Sequence, residues 1–558
     1  MTATLRPVVP PGTTTEASWP HRAGSWWPLG VYTLLSLLLF GIPVLGHFAT
    51  HVVASDPIDS SQFMWFFAWW PHAVLHGLNP FLTHAMFVPE GFNLTWSTAM
   101  PGPALALTPV TELFGASVTW NVIQLASPAL GAWTMYLLCR EITGRTGPSL
   151  VAGYVFGFSP YMLAHLTGGP YLALVALLPV VIRLILRRLR GTLRPRRFVI
   201  YTALALTAEF LTSSEVLATA TIFGGLAYLM ALALYPAQRR ALLDTAARLA
   251  GAYVVMGVLI SPFLYYFFFG HQYPPGATFF SADLASFAAP PSLVALGRHV
   301  FPYIGSNNES YLGLPLILLI LAWLWIERRR RRTWMIVIPM AAAGLCMLGR
   351  HLLVRGKVTS IPGVWNWLHH LPILTYAIPV RLSLFVIIPA AVIVALFLSG
   401  SGSGGRGRWR WALAALTIAF IVPDAGSSNW NTVVRDPAFF SSGQYRHYLH
   451  ASDNVLTVPA WGPNERWQAD TGFAFNLADG YAGNPFPVAY SRYPTWGTLL
   501  SGHLTPDYAV QLKRFVHDKR VTAIVVDASV PGPWRRLFGP LGIAPLTTGG
   551  VIYYRLRG

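Results

Sequence analysis

The stretch Ala54-Ser-Asp-Pro-Ile-Asp-Ser-Ser-Gln-Phe-Met-Trp-Phe-Phe-Ala-Trp-Trp-Pro-His72 belongs to a segment, Thr50 to Met100, that contains no lysine or arginine. The whole chain has a formal net charge of +18. Lysine and arginine concentrate in the cytoplasmic loops of membrane proteins, so this segment is predicted to face the opposite side. It follows the first long apolar run directly, and it is therefore expected to place Asp56 and Asp59 at the extracytoplasmic surface of the membrane that the chain spans.

Composition predicts an α-helical polytopic membrane protein. Of the 558 residues, 54% are hydrophobic and 11% are charged, whereas a soluble domain has about a quarter charged residues. Apolar runs near the ~20 residues needed to cross a bilayer recur along the first three quarters of the chain. About eleven spans are predicted, near residues 27–49, 115–138, 148–166, 170–186, 198–213, 216–235, 250–269, 311–326, 333–349, 380–399 and 411–423.

Arginines occupy every second connection between the predicted spans. They are Arg140 and Arg145; Arg187, Arg188, Arg190, Arg194, Arg196 and Arg197; Arg239, Arg240 and Arg248; Arg328 to Arg332; and Arg406, Arg408 and Arg410. These loops are predicted to be cytoplasmic, so the N-terminus lies inside and the tail outside a plasma membrane. Because the charge is juxtamembrane, the expected contacts are with membrane lipid headgroups, and nucleic acid is not a predicted partner.

Three regions follow from this topology. Residues 1–26 are predicted to be a disordered cytoplasmic N-terminus, and residues 27–423 a transmembrane domain whose first external loop is 50–100. Residues 424–558 are predicted to form a small extracytoplasmic α/β domain. Its expected strands are Asn454–Pro459, Val521–Asp527 and Val551–Arg555, and Pro506–Asp518 is expected to be a helix.

The tryptophan-dense run after Asp59 is predicted to form a helix in the headgroup zone of the membrane, where amphipathic rings are stable. Such a helix would hold the two aspartates at the interface.

This arrangement resembles the GT-C superfamily of polyprenyl-phosphate-sugar-dependent membrane glycosyltransferases, in an uncharacterised bacterial branch. The similar features are the first span, the long external loop that begins with acids, the arginine-rich cytoplasmic turns and the outer C-terminal domain. Three segments also resemble this group: Phe158-Ser-Pro-Tyr-Met-Leu-Ala-His165, Tyr311-Leu-Gly-Leu-Pro315 and Ile378-Pro-Val-Arg381.

The resemblance implies inverting transfer of a sugar from a polyprenyl-phosphate-linked donor to an envelope acceptor, which is a glycan, a glycolipid or a protein. It also implies an aspartate of the first external loop as general base, here Asp56 or Asp59. A partly desolvated carboxylate at the interface fits that role on physical grounds. The alternative is that Asp56 caps a helix that begins near Ser60. The Asp-Pro-Ile-Asp spacing leaves the choice open.

A departing lipid phosphate needs positive charge on the outer side, where arginine is scarce. Arg381 at the outer end of a span is the first candidate, followed by Arg350, Arg355 and Lys357 in the preceding loop. Arginine suits phosphate because its planar group binds two oxygens. The alternative for Arg381 is that its side chain extends to the lipid headgroups.

Four further residues are candidates for substrate binding. Glu209 and Glu215 are acids at membrane depth, which mark functional cavities by default, although Glu215 also fits a structural network with nearby serines. His165 precedes two glycines that would let a ligand approach the backbone; a packed histidine is the alternative. Trp461 belongs to an aromatic and acidic mixture in the outer domain, with Trp467, Asp470, Asp479 and Tyr481, that suits sugar rings but also suits an ordinary core.

No metal site is predicted. His72 and His76 have two-histidine spacing but lack the acid of the HExxH form, and a requirement for Mg²⁺ or Mn²⁺ stays open. Two other functions remain alternatives: a lipid or glycan transporter or flippase, and a non-catalytic envelope assembly subunit.

Overall fold

A computed structural model describes residues 26–271, 273, 280–297, 308–371, 374, 377–400, 407–460, 464–483 and 487–556. The chain divides into two compact units, neither of which is continuous in sequence. Unit 1 comprises Met1–Ile42, Ile123–Ile260 and Thr278–Ser427, and unit 2 comprises Pro43–Val122, Ser261–Ala277 and Ser428–Gly558. The predicted disorder of the N-terminus falls on residues outside the described ranges, apart from Trp26. The predicted domain boundaries stay predictions.

The described helices and strands are as follows. The helices are α1 Trp27–Ser36, α2 Pro57–Leu75, α3 Pro101–Ala106, α4 Thr108–Phe114, α5 Ala116–Thr143, α6 Thr146–Gly157, α7 Pro160–Leu166, α8 Pro170–Ala173, α9 Leu177–Leu189, α10 Pro195–Thr212, α11 Ser214–Leu234, α12 Arg239–Leu259, α13 Ser261–Phe269, α14 Leu314–Glu327, α15 Arg331–Met347, α16 Trp365–Leu368, α17 Leu384–Ser399, α18 Arg408–Ile421, α19 Ala438–Ser441, α20 Glu465–Asp470, α21 Val488–Ser491, α22 Thr495–Ser501, α23 Tyr508–Asp518 and α24 Trp534–Phe538. The strands are β1 His51–Val52, β2 Leu82–Thr83, β3 Phe92–Asn93, β4 His351–Val354, β5 Lys357–Pro362, β6 Thr432–Val433, β7 Asn454–Val458, β8 Asn476–Leu477, β9 Ala523–Asp527, β10 Leu546–Thr548 and β11 Val551–Arg555.

Unit 1 is built mainly from long apolar helices. In the described part of the chain, four helical segments are long and apolar enough to cross a membrane: Ala116–Thr143, Ser214–Leu234, Pro236–Leu259 and Pro379–Ser399. Trp27–Gly41 and Leu314–Glu327 are shorter apolar helices. Large apolar side chains such as Val254, Val258 and Trp325 are exposed, as expected of surfaces that contact lipid. The predicted number of eleven spans stays a prediction.

Three predicted spans are interrupted in the structure, and one of them, 170–186, is divided between α8 and α9. The apolar run 148–166 forms α6 and α7, because the Ser159 side chain accepts a hydrogen bond from Met162 N and starts a new helix at Pro160. The run 250–269 is divided at Ile260, where α12 ends and α13 begins with a proline in its first turn. Hydropathy could not detect these breaks, since the residues around them are apolar.

Unit 2 contains a five-stranded sheet with the strand order β10-β11-β9-β7-β8. Strand β7 runs parallel to β8 and β9, while β11 pairs antiparallel with β9 and β10. The sheet confirms the three predicted strands, and helix α23, which leads into β9, confirms most of the predicted helix. Buried Val455, Ile524 and Phe515 contribute to the core.

Helix α2 is buried inside unit 2, so protein and not lipid headgroups covers its rings, while its predicted depth in the headgroup zone of the membrane stays a prediction. Its aromatic side chains are at most 3% exposed. Trp65 Nε1 donates to Gln468 Oε1 at 2.7 Å, and Trp70 Nε1 donates to the carbonyl oxygen of Ala99 at 3.0 Å. A helix that is apolar on all sides is expected to be buried, and here protein acceptors satisfy the indole N–H groups.

Candidate active site

The first acid of the external loop is the N-cap of α2. Asp56 has an extended backbone, and its Oδ1 accepts a hydrogen bond from Ile58 N at 2.7 Å. Pro57 occupies the first helical position, where its missing N–H costs nothing. The helix therefore begins at Pro57 and not near Ser60. The Asp56 side chain is exposed, so the cap fixes the carboxylate without burying it, and the partial desolvation expected of the base is found at Asp59 and not at Asp56.

The second acid contacts the C-terminal part of unit 2. Asp59 is half-buried, and Tyr481 Oη donates to its Oδ1 at 3.4 Å. The backbone N–H of Tyr481 also donates to the carboxylate of Glu465. Tyr481 thus connects the first external loop with the sheet region.

Two buried acids lie near Tyr481 in the sheet region of unit 2. Burial raises the pKa of the Asp479 carboxyl to about 7, although hydrogen bonds from Thr457 Oγ1 at 2.6 Å and Thr457 N at 3.1 Å oppose the shift. Burial and the neighbouring Asp479 raise the pKa of Glu465 well above its usual value. This part of the site therefore favours protonated carboxyl groups.

Unit 1 contains a buried pair of opposite charges. Arg381 lies in the 3₁₀ turn before α17, and Glu215 lies in the first turn of α11. Arg381 Nη1 donates to Glu215 Oε2 at 2.6 Å, and the guanidinium carbon lies 5.5 Å from the centre of the Tyr171 ring. The Arg381 side chain is only 24% exposed, so it is partly buried beside Glu215 rather than extended into solvent.

A second charged contact in unit 1 involves His165. His165 Nε2 lies 3.5 Å from Glu309 Oε2, and the His165 ring packs edge-on against Tyr161 at 4.5 Å. Neither of these two atoms makes a hydrogen bond with a described group. A Cβ at Gly169 would come 3.3 Å from His165 Nδ1, so the glycine makes room for the histidine ring itself, and the predicted approach of a ligand to this backbone stays a prediction.

The charges of Arg381, Glu215, Glu209 and Glu309 all act on Tyr161, which places these side chains in one region of unit 1. Glu209 is 1% exposed, and neither of its carboxyl oxygens has a hydrogen-bond partner among the described residues. The structure thus brings together three acids, one arginine and one histidine, which makes this group a candidate site in unit 1.

Sequence reasoning missed Glu309 and Tyr161 in this group. Both flank or lie within segments noted above, since Glu309 precedes the Tyr311-Leu-Gly-Leu-Pro315 segment and Tyr161 precedes His165 by one helical turn. The signal available for Glu309 was an isolated acid just before the apolar segment that begins at Tyr311.

The other predicted phosphate ligands lie in unit 1 on or beside the β4–β5 hairpin. Arg355 and Lys357 have exposed side chains, and Arg350 is half-buried. Asp283 holds the turn, because its carboxylate accepts from Arg355 N at 3.0 Å and Gly356 N at 2.6 Å. Trp461, the predicted sugar-stacking residue, lies outside the described residues.

Among the residues that the structure describes, no three His, Cys, Asp or Glu side chains are arranged to hold a metal ion. The rings of His72 and His76 are tilted against each other with their centres 4.2 Å apart. Burial, and to a smaller extent the charge of His76, lowers the pKa of His72.

Residues 29–371 match the model of a protein family described as Domain of unknown function (DUF6311). The chain belongs to this family. Comparison with curated proteins finds no similar sequence. The DUF6311 region contains Asp56, Asp59, His165, Glu215 and Glu309, so both acids of the first loop and most of the unit 1 group fall within it.

Solved structures show the fold of this DUF6311 protein. The oligosaccharyltransferase AglB of Archaeoglobus fulgidus, in complex with an inhibitory peptide and a dolichol-phosphate, is 12% identical with a TM-score of 0.55, over 97% of this chain and 75% of that one. ArnT of Cupriavidus metallidurans bound to undecaprenyl phosphate is 11% identical with a TM-score of 0.50, over 95% and 98%. Arabinofuranosyltransferase AftD from mycobacteria is 16% identical with a TM-score of 0.56, over 95% and 41%. The DUF6311 protein therefore has the GT-C glycosyltransferase fold, as the sequence predicted.

Proposed function

We propose that this protein is a membrane glycosyltransferase that moves a sugar from a polyprenyl-phosphate-linked donor to an extracytoplasmic acceptor. In the proposed reaction, an acceptor hydroxyl oxygen bonds to the anomeric carbon while the bond from that carbon to the phosphate oxygen breaks. The hydroxyl proton passes to an aspartate, and the lipid phosphate leaves. Attack opposite to the leaving group inverts the anomeric configuration.

The observation that carries the proposal is the position of Asp56 in a GT-C fold. The carboxylate is exposed at the start of α2, and the bond from Ile58 N fixes its direction. A general base must be within reach of the hydroxyl that it deprotonates, and Asp56 is the more exposed of the two acids. We assign Asp56 as the base. Asp59, held by Tyr481, is proposed to bind the acceptor or donor sugar.

Arg381 is proposed to bind the donor phosphate. A guanidinium can use two N–H groups on one phosphate, and a fixed cation stabilises the charge that develops on the leaving group. Glu215 accepts from Nη1 and so orients the guanidinium. Glu209 and His165, in the same region of unit 1, are proposed to contact the donor sugar. Arg350, Arg355 and Lys357 are proposed as secondary contacts for the lipid phosphate.

The test is transfer by the purified protein in lipid nanodiscs. Synthetic short-chain polyprenyl-phosphate mannose, glucose and arabinose serve as donors, and a detergent extract of bacterial envelope glycans serves as the acceptor mixture. Release of polyprenyl phosphate and labelling of glycans are measured. We expect activity with at least one donor, and we expect a loss of about 10² to 10⁴ in rate for Asp56→Ser, the range typical of a general base.

Serine is chosen because it is also a good helix N-cap, so Asp56→Ser removes the carboxylate while keeping the start of α2. Asp507→Asn, an exposed acid at the start of α23 that makes no side-chain cap bond, is the matched control and should keep full activity. Full activity in Asp56→Ser would overturn the assignment of the base. Movement of the donor across the bilayer without transfer would overturn the enzymatic proposal in favour of a flippase.

A further inference from the structure

A cavity of about 410 Å³ lies within unit 2, apart from the residues assigned above. It lies between the region where α4 meets α5, which includes Phe114 and Ser117, and the C-terminal segment around α19 and α20. Its volume is within the range of small-molecule binding sites, roughly 300–1,000 Å³.

Charged groups in and beside this cavity form a compact, mutually paired cluster. Asp436 and Asp470 both line the cavity, and their carboxyl groups lie within hydrogen-bonding reach of each other. Arg466 is 3% exposed; its Nη2 lies 2.6 Å from Asp436 Oδ1 and its Nη1 lies 3.3 Å from Asp470 Oδ2. Arg466 Nε is buried without a hydrogen-bond partner.

The remaining lining combines hydroxyl groups with an apolar wall. Ser117, Ser441 and Thr471 contribute hydroxyls, and Arg446 contributes a second, exposed guanidinium. Phe440 and Tyr445 are largely buried behind the surface and form the wall. Arg466 already pairs with Asp436 and Asp470, so the charges of these three groups are satisfied within the protein. Such a lining suits a neutral ligand that offers many hydroxyl donors and acceptors better than it suits an anion or a cation.

We propose that this cavity binds a neutral sugar unit of the acceptor glycan. Hydroxyls of the sugar donate to the carboxylates of Asp436 and Asp470 and accept from Arg446, while the less polar face of the ring meets Phe440 and Tyr445. This inference rests on the proposed function, because it names the acceptor class of the same enzyme.

The place of α20 in unit 2 supports an acceptor role. Glu465 at its first turn accepts from Tyr481 N, and Tyr481 contacts Asp59. Asp470 ends the same helix and lines the cavity. At a rise of 1.5 Å per residue, the two ends of α20 are about 8 Å apart, which is the length of one to two sugar units. One glycan chain could therefore occupy the cavity and reach the loop acids.

The test is binding of neutral methyl glycosides to the full chain in nanodiscs, and saturation-transfer NMR measures this binding. The probes are methyl α-D-mannoside, methyl β-D-glucoside and methyl α-D-arabinofuranoside. We expect at least one probe to bind, and we expect Asp470→Asn to weaken it about tenfold or more. Ser441→Trp fills the cavity from an exposed position without touching the ion pairs, and it should abolish binding. Asp507→Asn should bind as the unchanged protein does.

The proposed acceptor site is overturned if no probe binds to the unchanged protein. It is also overturned if Asp470→Asn and Ser441→Trp bind the probe as tightly as the unchanged protein does. Transfer assays separate this result from failure of the proposed function. If the cavity holds the acceptor, Ser441→Trp raises the acceptor KM for transfer, whereas Asp507→Asn leaves it unchanged. If the protein binds glycosides but transfers sugar from none of the donors, the cavity is a glycan site and the enzymatic proposal fails.

Discussion

At the scale of single residues, Asp56 has two roles that substitutions separate. It caps α2 through the bond to Ile58 N, and it is the proposed base. Removing an N-cap costs about 1 kcal/mol of stability. We therefore expect Asp56→Ala to lower the thermal unfolding midpoint while Asp56→Ser leaves it close to that of the unchanged protein. Tryptophan fluorescence during thermal unfolding in detergent measures the midpoints of both variants. Equal losses in both variants would mean that the carboxylate stabilises the fold in another way.

Substitution of Arg381 should lower kcat more than substitution of other arginines that form ion pairs. Arg381→Gln removes the charge, and we expect a loss of about 10² to 10³ in kcat, as for the loss of one stabilising donor at a developing negative charge. Arg381→Lys should retain part of the activity, because an ammonium keeps the charge but lacks the planar pair of donors.

Arg183 is the matched control for this prediction. It is 19% exposed and lies 3.4 Å from Glu141, which is 21% exposed, compared with 24% and 19% for Arg381 and Glu215. Arg183→Gln thus breaks a similar ion pair elsewhere in unit 1. A comparable loss of kcat in Arg183→Gln would show that the Arg381 effect is structural.

Asp479 predicts a dependence of stability on pH. Because burial raises its folded pKa to about 7, above the unfolded value near 4, the folded state holds this proton more tightly than the unfolded state. The contribution of this proton to the free energy of unfolding is fully present below pH 4 and is lost as the pH rises towards 7. Glu465 faces Asp479, and burial shifts its pKa in the same direction. Unfolding midpoints between pH 5 and 8 should fall less steeply in Asp479→Asn than in the unchanged protein, by a few degrees; an unchanged slope would contradict the shift.

At the scale of elements, α2 shows a difference between prediction and structure. The sequence predicted that its rings contact lipid headgroups, and the structure buries them in protein. Its aromatic run indicates an apolar helix, but the run does not reveal whether lipid or protein covers it. The answer depends on Gln468, which is far away in sequence, accepts from Trp65 Nε1 and donates from its own Nε2 to the carbonyl oxygens of Ala85 and Phe475.

This packing predicts that substitution of Trp65 strongly lowers the free energy of unfolding. Trp65→Ala should cost about 3–5 kcal/mol, because it leaves a large cavity. Trp65→Phe should cost about 1–3 kcal/mol, since it leaves Gln468 Oε1 without its donor. Trp325→Ala is the control, because Trp325 is 69% exposed on α14. Thermal unfolding compares the three variants, and equal stability of Trp65→Ala and Trp325→Ala would contradict the buried position of α2.

The elements that the sequence predicts well are those with local signals. Short apolar runs located β7, β9 and β11 to within about two residues at each end, and helix capping by Asp56 was an open alternative because aspartate is a common N-cap. The contacts of the candidate site were beyond reach, because Glu309 and His165, or Arg466 and Asp436, approach only through the tertiary fold. The interruption before Pro160 had a local signal, Ser159-Pro160, which the surrounding hydropathy obscured.

At the scale of the whole molecule, the alternation of arginine-rich loops predicts a cytoplasmic N-terminus and an outer C-terminal region. Both native cysteines, Cys139 and Cys346, are buried, so the unchanged protein should react little with a membrane-impermeant maleimide. Ser501→Cys, at an exposed site in unit 2, should be labelled in spheroplasts. Thr192→Cys, exposed between α9 and α10, should be labelled only after permeabilisation. The reverse pattern would invert the topology.

The measurement that tests the central claim most directly is NMR of the anomeric signal during turnover of a polyprenyl-phosphate sugar of known configuration. The proposed mechanism predicts that the unchanged protein converts the donor into a product of the opposite anomeric configuration and that Asp56→Ser does not consume it. Retained configuration, or equal consumption by Asp56→Ser, would contradict direct displacement assisted by this carboxylate.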